Sequence, residues 1–197
     1  MSIMIDNFEQ IKDLLEFRSD DDFYHCQIIK RKKEHPELGS NSYIVKTYYI
    51  KKIEELDYYK DEMITLAEVH NARVQINLNR RSFEKMAFHT QKKIADQLMN
   101  RDYKSVRKAY NSCCGKYSNE TNKKWVIDID EKLELNDLSN YVNIINDTSP
   151  MGLKVHDFIP TKNGWHIITE PFNLQNFKVL YPDINIHKDN PTILYIP

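Results

Sequence analysis

Near the start of the chain, apolar residues recur at helical spacing. Phe8, Ile11, Leu14, Leu15 and Phe17 would share one face of a helix over residues 5 to 18, which Ser19 to Asp22 would end. Two runs rich in Tyr, Ile and Val follow, 23 to 33 and 42 to 52, separated by the turn-forming His35-Pro-Glu-Leu-Gly-Ser-Asn41. That pattern predicts a β-hairpin with the basic stretch Lys30-Arg-Lys-Lys33 at its tip. Leu56, Tyr59, Met63, Leu66 and Ala67 predict a second helix over 56 to 70. Val74, Ile76 and Leu78 alternate with polar neighbours, which predicts a half-buried strand over 73 to 79. Ser82 stands where it would cap a helix over 83 to 99, with Phe83, Met86, Ala87, Ile94 and Leu98 as core positions. A further helix is expected over 102 to 111.

The polar stretch Gly115-Lys-Tyr-Ser-Asn-Glu-Thr-Asn122 marks a boundary between two lobes of one domain: an N-terminal α/β module, 1 to 120, and a C-terminal module, 121 to 197. Beyond it the pattern predicts β-α-β-β-α-β-β. Its pieces are a strand over 124 to 130, a helix over 135 to 147, strands over 153 to 159 and 165 to 169, a short helix opened by Pro171, and strands over 183 to 188 and 192 to 196. The expected class is α+β. With 197 residues, 41% of them hydrophobic, the chain can bury one core or two packed lobes but cannot also house a helicase.

The formal net charge is −1, so any contact with nucleic acid must use local basic patches instead of a global field. Candidate patches are Lys30 to Lys33 with Tyr24, Tyr48 and Tyr49, the helix side with Lys104, Arg107 and Lys108, and the pair Arg80 and Arg81 before a helix N-terminus. A solvated basic surface is the alternative for each. Three cysteines and no signal-peptide pattern over residues 1 to 10 argue against a disulfide-built secreted protein, and a cytoplasmic location is expected. No apolar run approaches the roughly 20 residues of a membrane-spanning helix. Adjacent Cys113 and Cys114 lack zinc-ribbon spacing, and Ser112-Cys-Cys-Gly115 fits buried structural cysteine better than a nucleophile loop.

Candidate chemistry is concentrated in two segments. In Trp125-Val-Ile-Asp-Ile-Asp130 the apolar run predicts a buried strand, on which Asp128 and Asp130 point together while Ile127 and Ile129 pack on the other face. Two adjacent carboxylates repel when both are ionised, and a hard divalent cation relieves the repulsion. A strand end running out into a solvated acidic loop, Asp130-Glu-Lys132, is the other reading. The second segment is Ile159-Pro-Thr-Lys-Asn-Gly-Trp-His166. Thr161, Lys162, Asn163 and Gly164 form a turn with donors suited to phosphate oxygens, and Gly164 would let the backbone approach a ligand closely. His166 follows on a strand, on the face of Ile168, as a ligand-facing imidazole or a hydrogen-bonded core histidine.

Taken in order, Val126-Ile-Asp-Ile-Asp130, then Gly164-Trp-His166, then a later acidic strand end resemble the archaeo-eukaryotic primase (AEP), or primase-polymerase, superfamily. The resemblance covers residues 124 to about 190. It implies an AEP-like core in which an N-terminal α/β module packs on a C-terminal RRM-like β-α-β unit, with the acidic site between them. It also implies two Mg2+ or Mn2+ ions on an acidic triad of Asp128, Asp130 and Asp189, with Asp183 as the alternative third acid. His166 would contact the phosphates of a nucleoside triphosphate, beside the Thr161 to Gly164 turn. The implied activity is template-dependent nucleotidyl transfer on single-stranded DNA or RNA. A separate helicase would serve as a partner, and phage or mobile-element replication would be a suitable setting. A metal-dependent nuclease using the same acids, and a non-catalytic nucleic-acid-binding replication accessory protein, are the competing readings.

Overall fold

A computed structural model describes residues 4–197. In chain order its first half runs β1 (Ile5–Asp6), α1 (Phe8–Lys12), β2 (Asp22–Lys30), β3 (Tyr43–Ile50), α2 (Ile53–His70), β4 (Arg73–Asn77), β5 (Arg81–Ser82), α3 (Phe83–Met99) and α4 (Ala109–Lys116). The second half runs β6 (Trp125–Ile129), α5 (Ser139–Asp147), β7 (Val155–Pro160), β8 (Trp165–Thr169), α6 (Leu174–Leu180), β9 (Asn185–His187) and β10 (Pro191–Ile196). The class is α+β with antiparallel sheets. No described helix is long and apolar enough to cross a membrane.

The larger sheet has the order β1-β10-β4-β2-β3, with β5 paired to β2. Its apolar face, carrying Tyr24, Cys26, Ile28, Val74 and Ile76, packs against Leu56, Met63 and Ala67 of α2 and Phe8 and Ile11 of α1 in the main core. The smaller sheet has the order β7-β8-β6-β9. Strand alternation divides β6 between two cores. Val126 joins Ile159 and Ile168 in the main core. Trp125, Ile127 and Ile129 join Ile167, Phe172 and Phe177 in a second core.

The sequence pattern and the structure part company in places. The helix expected over 5 to 18 shrinks to the five residues of α1, because β1 and Asn7 are drawn to β10: Asn7 Nδ2 donates to the Pro160 and Ile193 carbonyls at 3.1 and 3.0 Å. Of the five expected core positions on α3 only Met86 is buried, and Leu98 is exposed. This helix packs through a narrow stripe onto α4, so most of its circumference meets solvent. The helix expected over 102 to 111 is a 3-10 turn, Tyr103–Lys108, leading into α4. The last strand, β10, pairs with β4 and β1 in the larger sheet, so the C-terminal segment returns to the N-terminal module.

That return is held by buried polar side chains. Arg80 bonds Glu120 and Asp22, with Nε to Glu120 Oε1 at 2.5 Å and Nη1 to Asp22 Oδ2 at 3.0 Å. Arg81, fully buried, donates to the Cys114 carbonyl at 2.8 Å and to Asp189 Oδ1 at 3.1 Å. Asn79 Nδ2 reaches Asp189 Oδ1 at 3.0 Å and the Lys124 carbonyl at 2.9 Å, while Asn79 Oδ1 accepts from Lys124 N at 2.7 Å. The junction thus ties the start of β6 and the β9–β10 link to the end of β4. Removing one partner of a buried ion pair leaves an uncompensated charge. Asp189→Ala is therefore expected to cost about 3 kcal/mol in urea denaturation. The exposed turn residue Asp183 should tolerate alanine within about 0.5 kcal/mol. Equal midpoints for the two variants would contradict this role for Asp189.

Candidate functional site

Asp128 sits near the end of β6, directly across from His166 on β8 and from Asn185 on β9. The residue two before it, Val126, is buried in the main core on the same face. The face therefore starts dry and ends at a cavity of about 680 Å³. Asp128 and Asp130 line this cavity together with His166, His187 and the turn residues Thr161, Lys162 and Asn163. From the larger sheet comes Arg73, and from the turn after β2 come Arg31 and Lys33. A cleft between two sheets with convergent polar groups is the usual form of a small-molecule site.

The His166 ring is fixed at both nitrogens. Nδ1 lies 2.8 Å from Thr192 Oγ1 on β10, and Nε2 lies 3.4 Å from Asp128 Oδ1. The hydrogen bond from His166 holds the Asp128 carboxyl below its ordinary pKa, against the upward push of burial. The charges of His166, His187 and Arg31 add to the same effect. Burial, foremost, and the neighbouring His166 lower the His187 pKa, while Asp128 opposes the shift. Burial also lowers the Arg73 pKa to about 10, and Arg73 bonds Glu34 at the cavity wall.

The turn before β8 owes its glycine to the protein's own backbone. A Cβ on Gly164 would stand 2.0 Å from the Ile129 carbonyl oxygen and 2.6 Å from that of Glu131. Gly164 therefore allows the turn to close over the end of β6, which is where Asp130 emerges. The Thr161 hydroxyl accepts from Gly164 N at 3.1 Å and Thr161 N donates to the Gly164 carbonyl at 2.9 Å, locking the turn. Lys162 and Asn163 are left facing outward at the cavity.

Several expected site residues stand elsewhere. Arg80 and Arg81 are buried in the ion pairs of the junction, so neither guanidinium is presented to a template. Asp189 is turned toward Arg81 and Asn79 and does not line the cavity. Strand β9 ends two residues before it, and the link to β10 carries it to the larger sheet. Asp183 is exposed in the turn before β9. The cavity wall on β9 is instead Asn185 and His187, and the alternation Ile184-Asn-Ile-His187 already put those two side chains on one face. Arg73 carried no motif at all. Cys113 and Cys114 are buried, and burial pushes the Cys114 thiol up to about 12, far from thiolate chemistry.

Among the described residues no three His, Cys, Asp or Glu side chains converge as a ready-made metal cage. The carboxylates free to act as donors are Asp128 and Asp130, with ring nitrogens and an amide nearby, while the third on the wall, Glu34, is engaged by Arg73. Comparisons with family models, curated proteins and solved structures found no match, so the chain's own residues carry the functional reading.

The Asp128–His166 contact makes a pH prediction. A carboxyl whose folded pKa is depressed adds stability above its unfolded value, near 3.9, and loses it as pH falls through the folded value. His166→Ala should move the Asp128 titration upward in a carboxyl-carbon NMR experiment on metal-free protein. An unchanged Asp128 titration would contradict the contact.

Proposed function

We propose that this chain is a nucleotidyltransferase of the primase-polymerase type, which joins nucleotides on a single-stranded template. One observation carries the reading. The acidic pair Asp128 and Asp130, the imidazole of His166 and the cationic groups of Arg31, Lys33, Arg73 and Lys162 line one cavity between two sheets. Carboxylates opposite a cluster of cations suit a ligand that is itself a polyanion chelating a cation, and a nucleoside triphosphate with magnesium or manganese is such a ligand. A nuclease needs the acids but not the cationic wall for a triphosphate tail. The α+β class, with the acids at a cavity between two antiparallel sheets, supports the reading.

The residues present fit a divalent cation in a specific form. Asp128 favours its ionised state, and Asp130 shares its face at the exposed strand end. Magnesium commonly takes one or two carboxylates and completes its shell with phosphate and water oxygens. Asp128 and Asp130 would supply those two, and Asn185 could add an amide oxygen from β9. A bound cation supplies Lewis-acid chemistry, lowering the pKa of an attacking 3′-hydroxyl and steadying the leaving pyrophosphate. The protein groups do the rest. Lys162, Arg31 and Lys33 neutralise phosphate oxygens, and the Asn163 amide donates to them. His166, held by Thr192, keeps its ring fixed against Asp128 and beside the phosphates. Asp189 stays with Arg81 and takes no part as a ligand, which departs from the three-acid pattern.

The decisive assay is primer extension and unprimed synthesis with labelled nucleotides and manganese or magnesium. Asp128→Ala together with Asp130→Ala should lower incorporation by at least about a thousandfold, equivalent to about 4 kcal/mol of barrier, with the circular dichroism unchanged. Full incorporation by the double variant would refute the assignment. Shortening of the labelled strand without nucleotides would favour the nuclease.

A further inference from the structure

A second cavity, of about 710 Å³, lies between β3 and the segment leading into α4. Its walls differ in kind from those of the acidic cavity. Tyr43, Ile44 and Val45 give it an apolar side, and Tyr43 is well exposed there. Gln27 and Asn111 contribute amides. Arg107 and Lys108 stand at its edge, exposed, and neither has an ion-pair partner among the described residues. Among the described residues no acidic side chain lines it.

His25, at 3% exposure, also lines this cavity, and its Nε2 is buried without a hydrogen-bond partner. The chemical state of that nitrogen follows from its neighbours. Asn77 Nδ2 donates to the Asp189 carbonyl at 2.9 Å, which leaves Asn77 Oδ1 as the acceptor facing His25 Nδ1 at 3.3 Å. Nδ1 therefore carries the proton, and Nε2 is a lone-pair acceptor. Burial lowers the ring pKa to about 4, so near pH 7 the ring is neutral and Nε2 stays unprotonated. Nε2 has essentially no accessible surface, so it is sealed within the fold and the cavity offers a ligand its amide, aromatic and cationic groups instead.

We propose that this cavity seats an unpaired nucleobase of a single-stranded nucleic acid, with the flanking phosphates on Arg107 and Lys108. The base presents its hydrogen-bonding edge to the Gln27 and Asn111 amides. One base face lies against Tyr43 and Ile44, as bases stack on aromatic platforms in strand-binding grooves. Base and phosphate chemistry together account for apolar walls, hydrogen-bonding edges and unpaired cations in one cavity. Calling the bound strand a template rests on the nucleotidyl-transfer reading. The binding itself does not, and it is measured without metal or triphosphate.

The test is fluorescence anisotropy with a labelled short oligodeoxyadenylate and the full chain in chelator, at salt between about 50 and 200 mM. Arg107→Ala with Lys108→Ala should weaken binding about tenfold and flatten the logarithmic salt slope by about 1.4, since each phosphate contact on a single strand counts about 0.7. Both residues are exposed, so this variant keeps its fold. The wild type should bind an abasic strand of equal length several-fold more weakly, and Tyr43→Ala, at an exposed position, should close that gap. Unchanged affinity and slope in the double variant would overturn the proposal. So would equal binding of the abasic strand by the wild type, or displacement of the strand by equimolar deoxyadenosine monophosphate. Loss of incorporation in the acidic variants with strand binding intact would show that the two readings stand or fall separately.

Discussion

The junction of Asn79, Arg81 and Asp189 sets where the two sheets stand relative to each other. Arg81 is fully buried, and its charge is balanced by Asp189 on the link between β9 and β10. Asn79 spends both ends of its amide on the start of β6 and on that same carboxylate. With the start of β6 fixed, its antiparallel register with β8 and β9 places Asp128 opposite His166 and Asn185. Thr192 on β10 then reaches His166 from the larger sheet. The position of the acidic cavity therefore follows from a buried ion pair that is not part of its lining, although the next residue, Asn190, is.

The cavity combines charges that would be costly apart. Asp128 and Asp130 share a strand face, and the cations of Arg31 and Lys33 after β2 and of Lys162 in the neighbouring β7–β8 turn offset them. Arg73 is mostly withdrawn from solvent and engaged by Glu34. A polyanion entering with a divalent cation would meet both halves of this distribution at once. That complementarity supports phosphoryl chemistry more specifically than the acidic pair alone.

The period-two alternation of Val126, Asp128 and Asp130 against Ile127 and Ile129 was legible in the chain, because both of its apolar faces meet a core. The order of elements after residue 124 was legible for the same reason. The junction was not. Arg80 and Arg81 look like surface charges until Asp22, Glu120 and Asp189 are brought to them by contacts remote in the chain. Asp189 looked like a third metal acid because it follows an apolar strand, but the crossing of β10 into the larger sheet turns it away. Gly164 reads in the sequence as a place where backbone approaches a ligand, whereas what approaches it in the fold is the backbone of Ile129 and Glu131. Asn185 and His187 were available from alternation, yet a pattern searched for carboxylates passes over an amide and an imidazole.

The central claim is that Asp128 and Asp130 together hold a divalent cation with a nucleoside triphosphate. A crystal soaked with manganese and a nucleoside triphosphate tests it most directly, through the anomalous scattering of the metal. The account predicts a manganese peak beside the Asp128 and Asp130 carboxylates, with the phosphates near Lys162 and His166 and no metal at Asp189. Manganese bound at Asp189, or triphosphate bound with no metal at the Asp128 and Asp130 pair, would contradict it.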